Sequence, residues 1–72
     1  MREYLIEIRK NKNYTQAIVA EKLNITESYY CLIESGERQK TLALDMAQKL
    51  ADIFEVPISY IIDQEQKLKA SD

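Results

Sequence analysis

Apolar side chains recur at helical spacing in five stretches, separated by short polar breaks. The first predicted helix runs from Glu3 to Lys12, with Leu5 and Ile8 three apart on one face and Arg and Lys on the other. Asn13 ends it, because Asn tolerates the left-handed backbone of a helix stop. The second starts after Thr15, whose hydroxyl can accept a bond from an orphan backbone N–H, and buries Val19, Ala20 and Leu23. Asn24 breaks it. The third starts after a second capping residue, Thr26, takes its apolar spacing from Tyr29, Tyr30 and Ile33, and stops at Ser35-Gly36. The polar loop Glu37-Arg38-Gln39-Lys40-Thr41 follows. The fourth helix spans Ala43 to Phe54, with Leu44, Ala47, Leu50, Ala51 and Phe54 inward. Pro57 sits just inside a short fifth helix, where its missing N–H costs nothing, and that helix carries Ile58, Ile61 and Ile62. Residues 64–72 are polar and charged and read as a frayed tail.

Composition supports an all-α class. One Gly and one Pro in 72 residues are too few turn-formers for a sheet protein. A chain this short buries only about 60% of the surface its unfolded form exposes, so it is expected to form one domain, residues 1–63, with 64–72 as a polar C-terminal tail. One cysteine, Cys31, excludes an internal disulfide framework and fits a reduced cytoplasmic setting. No apolar run reaches the length of a membrane span or a signal-peptide core, and Met1-Arg2-Glu3-Tyr4 reads as a mature cytosolic beginning. Catalysis finds no support. Histidine is absent, and there is no metal-ligand cluster, no Gly-rich phosphate loop and no nucleophile beside a base, so neither a cofactor nor a small-molecule ligand is expected.

Net charge is −2, which by itself does not favour an anionic partner. Its distribution changes the picture. Residues 1–40 hold seven basic and six acidic side chains, whereas residues 41–72 hold three basic and six acidic ones, so any anionic partner is directed to the first half.

The stretch Gln16–Ser35 has what two short helices joined by a tight turn require. Ala20 is small enough for the helices to cross closely, Asn24 accepts a positive φ, and Val19, Leu23, Ile25, Tyr30 and Ile33 can fill the inner corner. The second helix of such a unit can enter the major groove of DNA while the first crosses the backbone.

Residues 4–62 resemble the lambda-repressor-like, Cro-type (XRE-type) helix-turn-helix family of phage and bacterial regulators. The matching features are Thr15-Gln16, Ala20, the Asn24-Ile25-Thr26 turn, Tyr30-x-x-Ile33-Glu34-x-Gly36, Lys49-Leu50-Ala51 and Val56-Pro57-Ile58. The resemblance implies a five-helix domain whose helices 2 and 3 form the helix-turn-helix, with double-stranded DNA as partner. It also implies residue roles. Gln16 looks like the family's phosphate-contacting residue that braces the recognition helix. Glu27, Ser28 and Leu32 fall at base-facing positions with Tyr29 beside them. Arg38 and Lys40 fall in the loop that touches phosphates, and Arg9 and Glu34 match a pair tying helix 1 to helix 3. Thr15 and Thr26, at the helix entries, complete the expected contact set. The chain departs from many relatives in carrying Glu27 and Leu32 where they carry Arg or Gln, and in a longer stretch after Gly36.

Glu27 has two physical readings of equal weight. An acid in a first helical turn is stabilised by the macrodipole by about 0.3–1 kcal/mol, and a carboxylate can also accept from a cytosine amino group. Leu32 can meet a thymine methyl or pack on the second helix. Ile58, Tyr60, Ile61 and Ile62 are more apolar than one short helix needs, which points to a homodimer interface. The resulting expectation is a sequence-specific DNA-binding regulator, of the repressor type by resemblance to phage and bacterial relatives. The alternative is a protein-interaction module of the same fold, motivated by the negative net charge and by Glu27.

Overall fold

The computed structural model describes residues 1–70. Five helices follow one another: α1 Glu3–Asn11, α2 Gln16–Leu23, α3 Glu27–Ser35, α4 Leu44–Phe54 and α5 Ile58–Ala70. There is no strand among the described residues, and no helix among them is long and apolar enough to cross a membrane. The chain divides into two compact units, Met1–Lys40 and the part from Thr41 onward.

In the first unit the helix ends are set by local chemistry. Thr15 Oγ1 accepts from the Ile18 N–H at 3.1 Å and Thr26 Oγ1 from the Tyr29 N–H at 3.1 Å, each satisfying one of the donors a helix start leaves open. Asn24 ends α2 in the left-handed region at φ 61°, and the chain reverses there, with the Ile25 N–H bonded to the Ala20 carbonyl at 3.0 Å. Gly36 ends α3 at φ 88°, where a side chain would be strained. Helices α2 and α3 pack closely, and Val19, Ala20, Leu23, Tyr30 and Ile33 are all buried. Tyr4 and Leu5 are the buried residues of α1 that accompany them, while Ile8 is only half-buried.

In the second unit α4 packs on α5, and Ala47, Leu50, Ala51, Phe54 and Ile61 are buried. Glu55 ends α4 at φ 57°, with the Val56 N–H returning to the Ala51 carbonyl at 3.0 Å. Helix α5 differs from its expectation. It is 13 residues long and stays helical from Gln64 to Ala70, where fraying was expected; the last two residues of the expected tail lie outside the described residues. Its inward period continues through half-buried Gln64, Glu65 and Leu68, so polar residues occupy positions that an apolar pattern does not reveal. Pro57 stands immediately before α5 and its carbonyl accepts the Tyr60 N–H at 3.0 Å.

Candidate nucleic-acid interface

Helix α3 separates its side chains by function. Tyr30, Ile33 and Glu34 are buried. Glu27, Ser28 and Cys31 are exposed, and Tyr29 and Leu32 are half-buried. Gln16, Glu27, Ser28, Cys31 and Leu32 together line a shallow depression, so the head of α2 and the outer face of α3 form one continuous surface.

That surface is held from behind by a buried carboxylate. Glu34 Oε2 accepts from Arg9 Nε at 2.7 Å, and Oε1 accepts from Arg9 Nη2 at 3.4 Å and from Gln16 Nε2 at 2.9 Å. The Arg9 and Glu34 side chains keep only 12% and 3% of their exposure, so both charges are largely withdrawn from water and compensated by each other. Hydrogen bonding to Glu34 is the main cause raising the Arg9 pKa above its ordinary value, against the opposing effect of burial. Arg9 Nη1 also donates to the Tyr14 carbonyl at 3.1 Å, fixing the turn between α1 and α2. The Arg9–Glu34 pair thus joins α1, the turn after it, the start of α2 and the end of α3. The pair expected between Arg9 and Glu34 is present, and Gln16 braces α3 through the same group.

The Tyr30 hydroxyl lies buried near Glu34 without a hydrogen bond of good geometry. Burial is the main cause pushing its pKa far above the usual tyrosine range, with the nearby Glu34 carboxylate acting in the same direction.

Thr15 and Thr26 have a structural duty as caps, each hydroxyl oxygen being engaged by a backbone N–H, while both residues remain exposed. The Tyr29 hydroxyl accepts from Gln39 Nε2 at 3.1 Å, which links α3 to the following loop. In that loop Arg38 and Lys40 are exposed, and Gln39 between them adopts φ 54°. The Leu32 carbonyl gathers the N–H groups of Gly36, Glu37 and Arg38 at 3.0, 3.0 and 3.2 Å, winding the loop tightly onto the end of α3.

Sequence reasoning overlooked two residues. Cys31 lies one helical turn beyond Glu27, and that spacing was the available signal for its place on the exposed face. Arg2, to which the sequence pattern assigns no role, is 2% exposed. Its Nη1 donates to the Ile33 carbonyl at 2.6 Å and to the Arg38 carbonyl at 3.3 Å, and its Nη2 donates to the Gln39 carbonyl.

Of the residues expected at a dimer interface, Ile61 is fully buried and offers no surface. Ile58 and Tyr60 are half-buried and Ile62 is exposed. Ile62 borders a groove of the second unit that is also lined by Leu42, Leu44 and Ala47, and Leu44 is 69% exposed.

A family model described as Helix-turn-helix matches residues 5–61. The HTH-type transcriptional regulator AnsR of Bacillus subtilis (strain 168) is 38% identical over 64 residues, an alignment covering 88% of this chain and 53% of that protein. The chain therefore spans about half the length of that curated relative. No solved structure matches the chain.

Proposed function

Since the chain belongs to the helix-turn-helix family and has its all-α, lambda-repressor-like fold, we propose that it is a sequence-specific DNA-binding transcriptional regulator of the repressor type. In this reading it lays α3 in the major groove and acts as a homodimer in the cytoplasm, without catalysis. The observation that carries the proposal is the division of labour on α3: Tyr30, Ile33 and Glu34 anchor it, which leaves Glu27, Ser28, Cys31 and Leu32 facing outward. Ser28 offers a hydroxyl to base edges or phosphate, and Leu32 an apolar surface for a thymine methyl. The exposed face carries no cation, so phosphate affinity falls to Gln16, to the backbone N–H groups at the starts of α2 and α3, and to Arg38 and Lys40. Thr15 and Thr26 add hydroxyl contacts beside their capping role. Residues 1–63 form the DNA-binding domain.

Dimerisation compensates for a small footprint. One helix reads few base pairs, and a two-fold pair of heads spaced about 34 Å apart doubles the site. The exposed apolar groove with Leu44 and Ile62, together with Ile58 and Tyr60, is the surface that supports this part of the proposal.

Selection of bound duplexes from a random pool, followed by a salt titration of the recovered sequence, tests the reading. A DNA reader shows a sequence preference and an affinity that falls steeply with salt. Neither property is expected of a module that binds only protein. That second reading is favoured by one observation, the exposed carboxylate of Glu27 on the outward face, and it stands if both properties are missing.

A further inference from the structure

The loop that carries Arg38 and Lys40 is tied to α3 at its start, where the Leu32 carbonyl gathers the N–H groups of Gly36, Glu37 and Arg38, and its middle is held by other groups. It is short, it uses two left-handed residues, Gly36 and Gln39, and both cations are exposed. Further ties come from the other end of the sequence. The Arg2 guanidinium donates to the carbonyls of Ile33, Arg38 and Gln39, so one buried group spans from the last turn of α3 to the middle of the loop. The Arg2 N–H adds a bond to the Glu34 carbonyl at 2.7 Å. A cation is well placed there, because the C-terminal end of a helix carries partial negative charge and unpaired carbonyls. The planar fork can serve several carbonyls at once, which a lysine ammonium on a flexible stem does less well. Gln39 makes the second tie, from its side chain to the Tyr29 hydroxyl.

We propose that Arg2 is a positioning residue for the nucleic-acid interface: without touching DNA, it fixes the Arg38 and Lys40 cations relative to the outward face of α3. This rests on the DNA-binding reading above. It separates two roles for basic residues of the first unit, contact by the exposed pair and placement by the buried one.

The test uses the full chain and a fluorescently labelled duplex of random sequence, whose binding is governed by phosphate contacts. The readout is the slope of log affinity against log salt, which changes by about 0.9 for each phosphate neutralised. Far-UV circular dichroism at the binding temperature confirms that each variant is folded. R38Q/K40Q is expected to reduce the slope by about 1.8. R2K keeps the net charge, so a residue of merely structural value leaves the slope per folded molecule unchanged. The proposal expects R2K to lower it by about 1 or more and to have no further effect when added to R38Q/K40Q. Raised mobility of residues 38–40 in R2K, read by backbone relaxation, is expected alongside. Arg2→Met, which leaves no buried charge, substitutes for R2K if R2K does not fold. If neither variant folds, or if a folded one keeps the wild-type slope while R38Q/K40Q lowers it, Arg2 is structural only and the proposal is overturned. If the unaltered chain shows no salt-dependent binding, or R38Q/K40Q leaves the slope unchanged, the failure lies in the assigned contacts themselves and the role of Arg2 falls with them.

Discussion

Tyr30 and Cys31 are neighbours with opposite fates, one turned inward and one outward by the helical step between them. Cys31 offers a direct probe of the outward face, because a maleimide attached there adds bulk where DNA is proposed to lie. Loss of duplex binding on labelling, with the helical spectrum unchanged, is the expected result; labelled protein that binds normally contradicts the placement of α3. Tyr30 gives a pH dependence. Its pKa is raised in the folded chain, so folding favours the neutral phenol. That contribution is fully present below the unfolded tyrosine value of about 10 and is lost as pH rises above it. Alkaline melting should therefore be steeper in the native chain than in Tyr30→Phe, and near neutral pH the substitution should cost little, since it removes a buried hydroxyl with no good partner. Glu27 remains the informative substitution for readout. Glu27→Gln should alter the selected base at one step if the carboxylate accepts from cytosine, whereas a uniform rise in affinity identifies it as a repelling charge.

Among the elements, helix boundaries were the most legible part of the sequence. Thr15, Thr26, Asn24 and Gly36 each take the backbone conformation their side chains favour, and the two threonines make the expected capping bonds. Thr26→Ala should lower stability by about 0.5–2 kcal/mol in denaturant unfolding. Other features were hidden for physical reasons. The left-handed conformation that closes α4 at Glu55 was hidden, because Glu gives no left-handed signal, although the apolar period already ended the helix at Phe54. The length of α5 was masked because Gln64 and Glu65 sit where an apolar period would be expected. Arg2 was missed because its partners lie 31 to 37 positions away in sequence, and periodicity reports only neighbours. The link between Arg9 and Glu34 is comparably distant and became visible only through family resemblance. That link joins α1 to α3, and removing one member leaves a buried charge uncompensated. Glu34→Leu should destabilise by about 3–5 kcal/mol, and the double replacement Arg9→Met with Glu34→Leu by less than the two single replacements summed, as measured in a double-mutant cycle.

For the molecule as a whole, charge and apolar surface fall in different places. The first 40 residues hold a small excess of basic groups and the remainder a larger excess of acidic ones. The exposed Leu44 and Ile62 border one groove in the second unit. If that groove joins two copies, Ile62→Glu should shift sedimentation equilibrium toward monomer and weaken binding to a two-half-site duplex far more than binding to a single half-site. A chain that sediments as a monomer at tens of micromolar, with or without the substitution, rules out the homodimer.

The outward residues of α3 have a further consequence. Glu27, Ser28 and Cys31 are exposed and contribute none of the ties that hold the helix in place, which belong instead to Thr26, Tyr30, Ile33 and Glu34. Exposed positions of this kind usually tolerate replacement within about 0.5 kcal/mol. A combinatorial library randomised at those three positions should therefore remain largely folded, so the frame can diverge in target preference by drift at its surface without first acquiring compensating changes in its interior.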